Sequence, residues 1–224
     1  MQELIEQERF EIEVLDRLNS GRFLRFLVFC GGTMLRLCHG LDRFSVDLDF
    51  WMVETDRIED KLKALKTFLS QFYFLKDAAN KFYTMIFEIG SPTYSRSLKI
   101  EIRKHQRTTP RTEQTIAYTP HSGRQVLLRS ITLEDMMHLK TAAFLDRREI
   151  RDVFDMEFLV RRGIRPVGEA ETLNEILAGI EAFSRLDYGT KLGSLLVLEK
   201  RRYYRTNNFT ILKGAIQDEL DYRL

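Results

Sequence analysis

In "RFSVDLDF" Arg43, Ser45, Asp47 and Asp49 fall at every second position, with Phe44, Val46, Leu48 and Phe50 between them. A period of two is that of a β-strand, whose successive side chains point to opposite faces. The spacing therefore predicts a strand over 43–50, with an apolar face on a core and the carboxylates, hydroxyl and guanidinium in line on the other. Adjacent carboxylates repel, and either a structural ion pair or a bound cation answers the repulsion. A strand fastened to a core is also a rigid support, which catalytic geometry requires.

Two neighbouring features add to this. The apolar run "RFLVFC" leads into Gly31, Gly32 and Thr33 and then "MLRLCHG", a strand–glycine–helix pattern. Glycine lets a backbone come close to a phosphate, and the amides at a helix start point toward it. Further on, "SLKIEIRK" (97–104) alternates, with Leu98, Ile100 and Ile102 on one face and Lys99, Glu101 and Arg103 on the other. Set in the same sheet, Glu101 would stand beside Asp47 and Asp49. Three carboxylates are hard oxygen ligands suited to Mg²⁺, which binds nucleoside triphosphate oxygens and neutralises charge as pyrophosphate leaves. His39, His105, His121 and His138 are scattered and offer no competing cluster.

The elements that must position these groups follow from periodicity and caps. Helices are expected over 4–18, with Ile5, Phe10, Val14 and Leu18 near four apart, and over 56–72, with Ile58, Leu62, Leu65 and Leu69 on one stripe. Gly40 should close a short helix after the glycine pair. Further strands are expected over 81–89 and on either side of "HSGR" within 115–130. After Ser130 the pattern turns helical, with Thr132 as N-cap of the first of two helical stretches that end at Gly163, and three more helical segments reach the end of the chain. The expected architecture is α+β, a mixed sheet with flanking helices over 1–130 followed by a helical lobe over 131–224.

The 224 residues carry 44% hydrophobic and 30% charged residues and a net charge of +2, an ordinary globular composition without a global basic signature. Cys30 and Cys38 make neither a disulfide framework nor a zinc pattern, and reduced, buried thiols are expected. No basic start followed by an apolar block and no membrane-length apolar run is present, so a cytoplasmic protein without membrane association is expected.

"GGTMLR", then "RFSVDLDF", a later acid in "LKIEI", and "LEDMMHLKTAAFLDRREIRDVFD" together resemble the AbiEii-type nucleotidyltransferases, toxins of type IV toxin–antitoxin systems within the DNA polymerase β-like superfamily. The resemblance spans about residues 28–160. It implies a nucleotidyltransferase-like sheet, a triphosphate-binding turn at Gly31, Gly32 and Thr33 with Arg43 and Ser45 nearby, and Asp47, Asp49 and Glu101 as ligands of Mg²⁺ or Mn²⁺. It also implies that Lys140 contacts the nucleotide phosphates and that Asp152 completes the site, whereas Asp155 is expected in an ion pair with Arg151, four residues away. The third acid departs from the superfamily pattern, which usually has Asp where this chain has Glu101.

The implied reaction moves NMP from NTP to an acceptor such as the 3′ end of a tRNA, and a cognate antitoxin is an implied partner. Two basic stretches are candidate RNA contacts: Arg103, Lys104, Arg107 and Arg111, and Lys200, Arg201, Arg202 and Arg205 with Tyr203 and Tyr204. The alternative is a regulatory module on the same scaffold that binds nucleotide or RNA without catalysis.

Overall fold

The computed structural model describes residues 1–54, 56–104 and 110–222. Contacts divide them into one unit of residues 1–40 and 44–131 and a second of residues 41–43 and 132–224.

The first unit is built on a mixed sheet of seven strands among the described residues, in the order β3-β4-β5-β2-β1-β7-β6. These are β1 (Leu27–Cys30), β2 (Asp47–Met52), β3 (Phe74–Asn80), β4 (Thr84–Gly90), β5 (Leu98–Arg103), β6 (Thr112–Tyr118) and β7 (Gln125–Ile131). β2 with β5 and β1 with β7 are parallel, and the other neighbours are antiparallel. Alternation gives the sheet its two faces. Leu48, Phe50 and Met52 of β2, Leu98, Ile100 and Ile102 of β5, Met85, Phe87 and Ile89 of β4, and Val126 and Leu128 of β7 are buried on one face. The residues between them on β2, β4 and β5 are half-buried or exposed. Helices α1 (Gln2–Ser20), α2 (Gly31–His39) and α3 (Ile58–Leu69) complete the unit. Phe10, Val14 and Leu18 of α1 and Leu62, Leu65 and Leu69 of α3 are buried as their spacing requires. Gly40 ends α2 in the left-handed region at φ 75°.

Two details differ from the sequence reading. The strand expected from residue 43 begins at Asp47, and Arg43 groups with the second unit. β3 has no clear alternation to read: it is an edge strand with four of its seven residues exposed, and its register shifts between Leu75 and Asp77.

The second unit is helical: α4 (Leu133–Arg147), α5 (Ile150–Arg161), α6 (Ala170–Glu181), α7 (Leu198–Asn207) and α8 (Thr210–Asp221). The Thr132 hydroxyl accepts from the Asp135 amide and caps α4, as expected. Arg148, left-handed at φ 53°, separates α4 from α5. Phe154, Tyr204 and Phe209 form a ring cluster in the core of this unit.

Candidate functional site

The register of β2 against β5 sets Asp47 opposite Lys99 and Asp49 opposite Glu101. Residues opposite one another in a sheet share a face, so the four charged side chains form a two-by-two array on the more open face. The Lys99 ammonium lies 3.5 Å from Asp47 Oδ2 and 3.5 Å from Glu101 Oε2. The side chains of Asp47, Lys99 and Glu101 are 38%, 40% and 36% exposed, open enough for a substrate to reach. Partial burial pulls the lysine's pKa down, but Asp47, Glu101 and Asp49 outweigh it and hold the ammonium above its ordinary value. The period-two pattern placed Lys99 on the polar face without marking it as part of the cluster.

Gly31 explains half of the glycine pair. Its φ is +80°, and a Cβ built there would lie 2.3 Å from Asp49 Oδ2. Only a residue without a side chain lets the turn pass this close to the carboxylate. Gly32 and Thr33 are buried in the first turn of α2, where the Thr33 hydroxyl donates to the Asp47 carbonyl and ties the helix to the start of β2. Ser45 is half-buried in the segment before that strand.

Behind the array, the Gln7 amide donates to the carbonyls of Val46 (3.2 Å) and Ser97 (3.3 Å), joining the segments that lead into the two acid-bearing strands. Its neighbours on α1 are also buried and polar. Glu8 accepts from Arg36 and Thr119, and burial together with the nearby Glu8 charge pushes the Glu11 carboxyl well above the usual carboxylate range. Neither Gln7 nor Glu11 stood out in the sequence, because a polar residue on an amphipathic helix usually faces water.

The donor set suits a hard divalent cation: three carboxylates, with an ammonium standing against two of them as a cation would. Among the described residues, no group of three or more His, Cys, Asp or Glu is already arranged to hold a metal ion.

In the second unit, Arg43 departs from the expected line. Its guanidinium is buried and donates from Nε and Nη2 to the two oxygens of Asp155, at 2.7 Å each. Lys140, also buried, lies 2.6 Å from Asp155 and 3.4 Å from Asp152. Asp152 in turn accepts two bonds of 2.7 Å from Arg147. Each acid thus has an arginine of its own, and Lys140 is shared between them. The pairing of Asp155 with Arg151 is replaced by Arg43 and Lys140, partners that a four-residue helical spacing does not reveal. Burial acting alone would raise the Asp155 pKa, but the two cations outweigh it and hold the carboxyl below its ordinary value.

The basic stretches are less available than their composition suggests. Lys104 is buried, with its ammonium 2.8 Å from Asn80 Oδ1, and Arg107 lies outside the described residues. Arg103 is exposed, with its guanidinium 5.7 Å from the Trp51 ring centre, and Arg111 is exposed. On α7, Tyr204 belongs to the core, Arg201 donates to the Gly189 carbonyl and Lys200 pairs with Asp42, which leaves Arg202, Tyr203 and Arg205 exposed. Cys30 and Cys38 are free thiols, the first buried and the second raised to about 12 by burial. No helix among the described residues is long and apolar enough to cross a membrane.

Comparison with solved structures finds the same fold in a candidate nucleotidyltransferase from H. pylori, with a TM-score of 0.60 and 20% identity over 96% of this chain and 97% of that one. A second H. pylori protein, JHP933, aligns with a TM-score of 0.49 and 20% identity over 92% and 96% of the two chains. No curated protein matches the chain. The family model described as "Nucleotidyl transferase AbiEii toxin, Type IV TA system" matches residues 13–208, a span that takes in the carboxylate array and the Lys140 cluster. The chain therefore belongs to the AbiEii family of nucleotidyltransferase toxins.

Proposed function

We propose that this nucleotidyltransferase moves a nucleoside monophosphate from NTP to a hydroxyl of an RNA acceptor, such as the 3′ end of a tRNA, with Asp47, Asp49 and Glu101 as ligands of Mg²⁺ or Mn²⁺. The observation that carries the reading is the two-by-two array, which gathers three carboxylates on the open face beside a glycine turn that admits no side chain. When bound, the divalent ion supplies charge stabilisation to the triphosphate.

The chain's own groups do the rest. The first amides of α2, at Gly31, Gly32 and Thr33, face phosphate oxygens with the favourable end of the helix dipole, and Ser45 adds a hydroxyl nearby. Glu101 takes the proton of the acceptor hydroxyl as its oxygen bonds to the α-phosphorus and the bond to pyrophosphate breaks. Lys140 contacts the nucleotide phosphates; its place between two acids that each hold an arginine supports this, because neither acid depends on it alone. Arg43 and Asp152 hold that lysine's surroundings in place. Arg202, Tyr203 and Arg205, with Arg103 on Trp51, supply charge and stacking surface for RNA. Membership of a toxin–antitoxin family implies a cognate antitoxin, and a substrate pair of NTP and RNA places the reaction in the cytoplasm.

The test is to incubate the protein with each labelled NTP, total RNA and Mg²⁺. Label should enter RNA with the parent and be lost with Asp47→Ala. Equal labelling by both proteins would overturn the assignment, and the labelled RNA species identifies the acceptor.

A further inference from the structure

We infer that Lys99 is the resident cation of the carboxylate array and sets its affinity for the divalent ion: metal loading is an exchange of this ammonium for the incoming cation. The inference rests on the reading of Asp47, Asp49 and Glu101 as metal ligands and adds a competitor to it.

The geometry is that of a counter-ion rather than of a lysine on a solvated face. Lys99 reaches its position from within the array, opposite Asp47 across the strand pair and two residues before Glu101 on the same strand. Its ammonium stands at equal distances of 3.5 Å from Asp47 and Glu101. These contacts are longer than the 2.7–2.9 Å of a strong charge-assisted hydrogen bond, so the ammonium bridges two acids instead of committing to one. Without it, Asp47, Asp49 and Glu101 would face one another on neighbouring positions of a sheet, and like charges so placed destabilise it. The same oxygens are those a divalent ion needs. A lysine side chain suits such an exchange, being a compact charge on a flexible four-carbon stem, and at 40% exposure it has water to swing into.

Two consequences separate this role from a passive surface pair. Removing the ammonium exposes the carboxylates to one another, so the metal-free protein loses stability. It also removes the competitor, so the divalent ion binds more tightly. A passive pair moves neither quantity.

The experiment compares the parent with Lys99→Met, Lys99→Arg, Asp47→Asn and the double variant Asp47→Asn/Lys99→Met, using Mn²⁺ alone as the probe. Binding is measured by titration calorimetry, and melting is followed with and without Mn²⁺. Lys99→Met should bind Mn²⁺ on the order of tenfold more tightly and melt at a lower temperature without metal, whereas saturating Mn²⁺ should bring it back to the parental melting temperature. Lys99→Arg, which keeps the charge, should stay near the parental affinity. The double variant, with one repelling acid also gone, should melt above Lys99→Met in the absence of metal. Parental Mn²⁺ affinity in Lys99→Met, or a metal-free melt no lower than the parent's, would overturn the role of Lys99. If Asp47→Asn binds Mn²⁺ as well as the parent does, the metal-site reading itself fails, and Lys99 loses its role with it.

Discussion

Asp155 and Lys140 are buried in the same cluster, yet they should respond very differently to substitution. Asp155 faces both Arg43 and Lys140, so Asp155→Asn takes away the carboxylate that Arg43 holds by two bonds and leaves Lys140 with Asp152, 3.4 Å away. Breaking such a pair from one side costs about 3–5 kcal/mol, which a denaturant melt at neutral pH would show. Because the Asp155 carboxyl lies below its ordinary pKa when folded, its stabilisation is fully present above the unfolded-state pKa and is lost as pH falls through the lower folded one. The parent and Asp155→Asn should accordingly converge in stability only in acid. Lys140→Met is milder, since Arg43 and Arg147 still hold the two acids. It should keep most of the stability while single-turnover transfer drops by about 10²–10³, the cost of one electrostatic donor in the transition state. A near-parental rate would remove Lys140 from the chemistry and leave it a structural cation.

At the scale of elements, the join between β1 and α2 and the buried face of α1 carry the sharpest expectations. Gly31→Ala puts a methyl against the Asp49 carboxylate at a left-handed φ, which costs roughly 1–2 kcal/mol in backbone strain alone. Transfer and Mn²⁺ binding should both fall, because the carboxylate has to move; a variant that melts lower but binds Mn²⁺ normally would mean that the turn serves folding only. Glu11 on α1 works in the opposite sense to Asp155. Burial raises its folded pKa, so it costs nothing below the unfolded-state pKa and destabilises the fold as pH climbs above that value. Glu11→Gln should therefore melt above the parent at neutral pH, with a gap that closes toward about pH 4, near the ordinary glutamate pKa. Alternation made β2 and β5 legible, and with them the acids they carry, because a half-buried strand writes its two faces into the sequence. Edge strand β3 left no such record, being open to water on most of its length. The pairing of Lys99 with Asp47 was also out of reach, since it depends on which strands become neighbours and in what register, and neither is encoded locally.

Across the whole chain, the switch from sheet to helix after residue 130 was readable from periodicity, whereas the contribution of residues 41–43 to the helical unit was not. Arg43 and Asp155 are 112 positions apart, and no spacing rule reaches that far. A fragment of residues 132–224 lacks Arg43, and also Asp42, the partner of Lys200. It should unfold at lower denaturant than the same unit within the full chain, by the few kcal/mol that a broken buried pair implies, about 3–5; equal midpoints would show that the 41–43 segment adds nothing. The same segment shapes events at the ribosome. Residues 41–43 are made early, but Arg43 meets Asp155 only after α5 has been synthesised. For a toxin, that order of synthesis delays the assembly of the Lys140 cluster until most of the polypeptide exists, so a prematurely terminated chain reaching only residue 131 carries Asp47, Asp49, Glu101 and Arg43 but neither Lys140 nor Arg147.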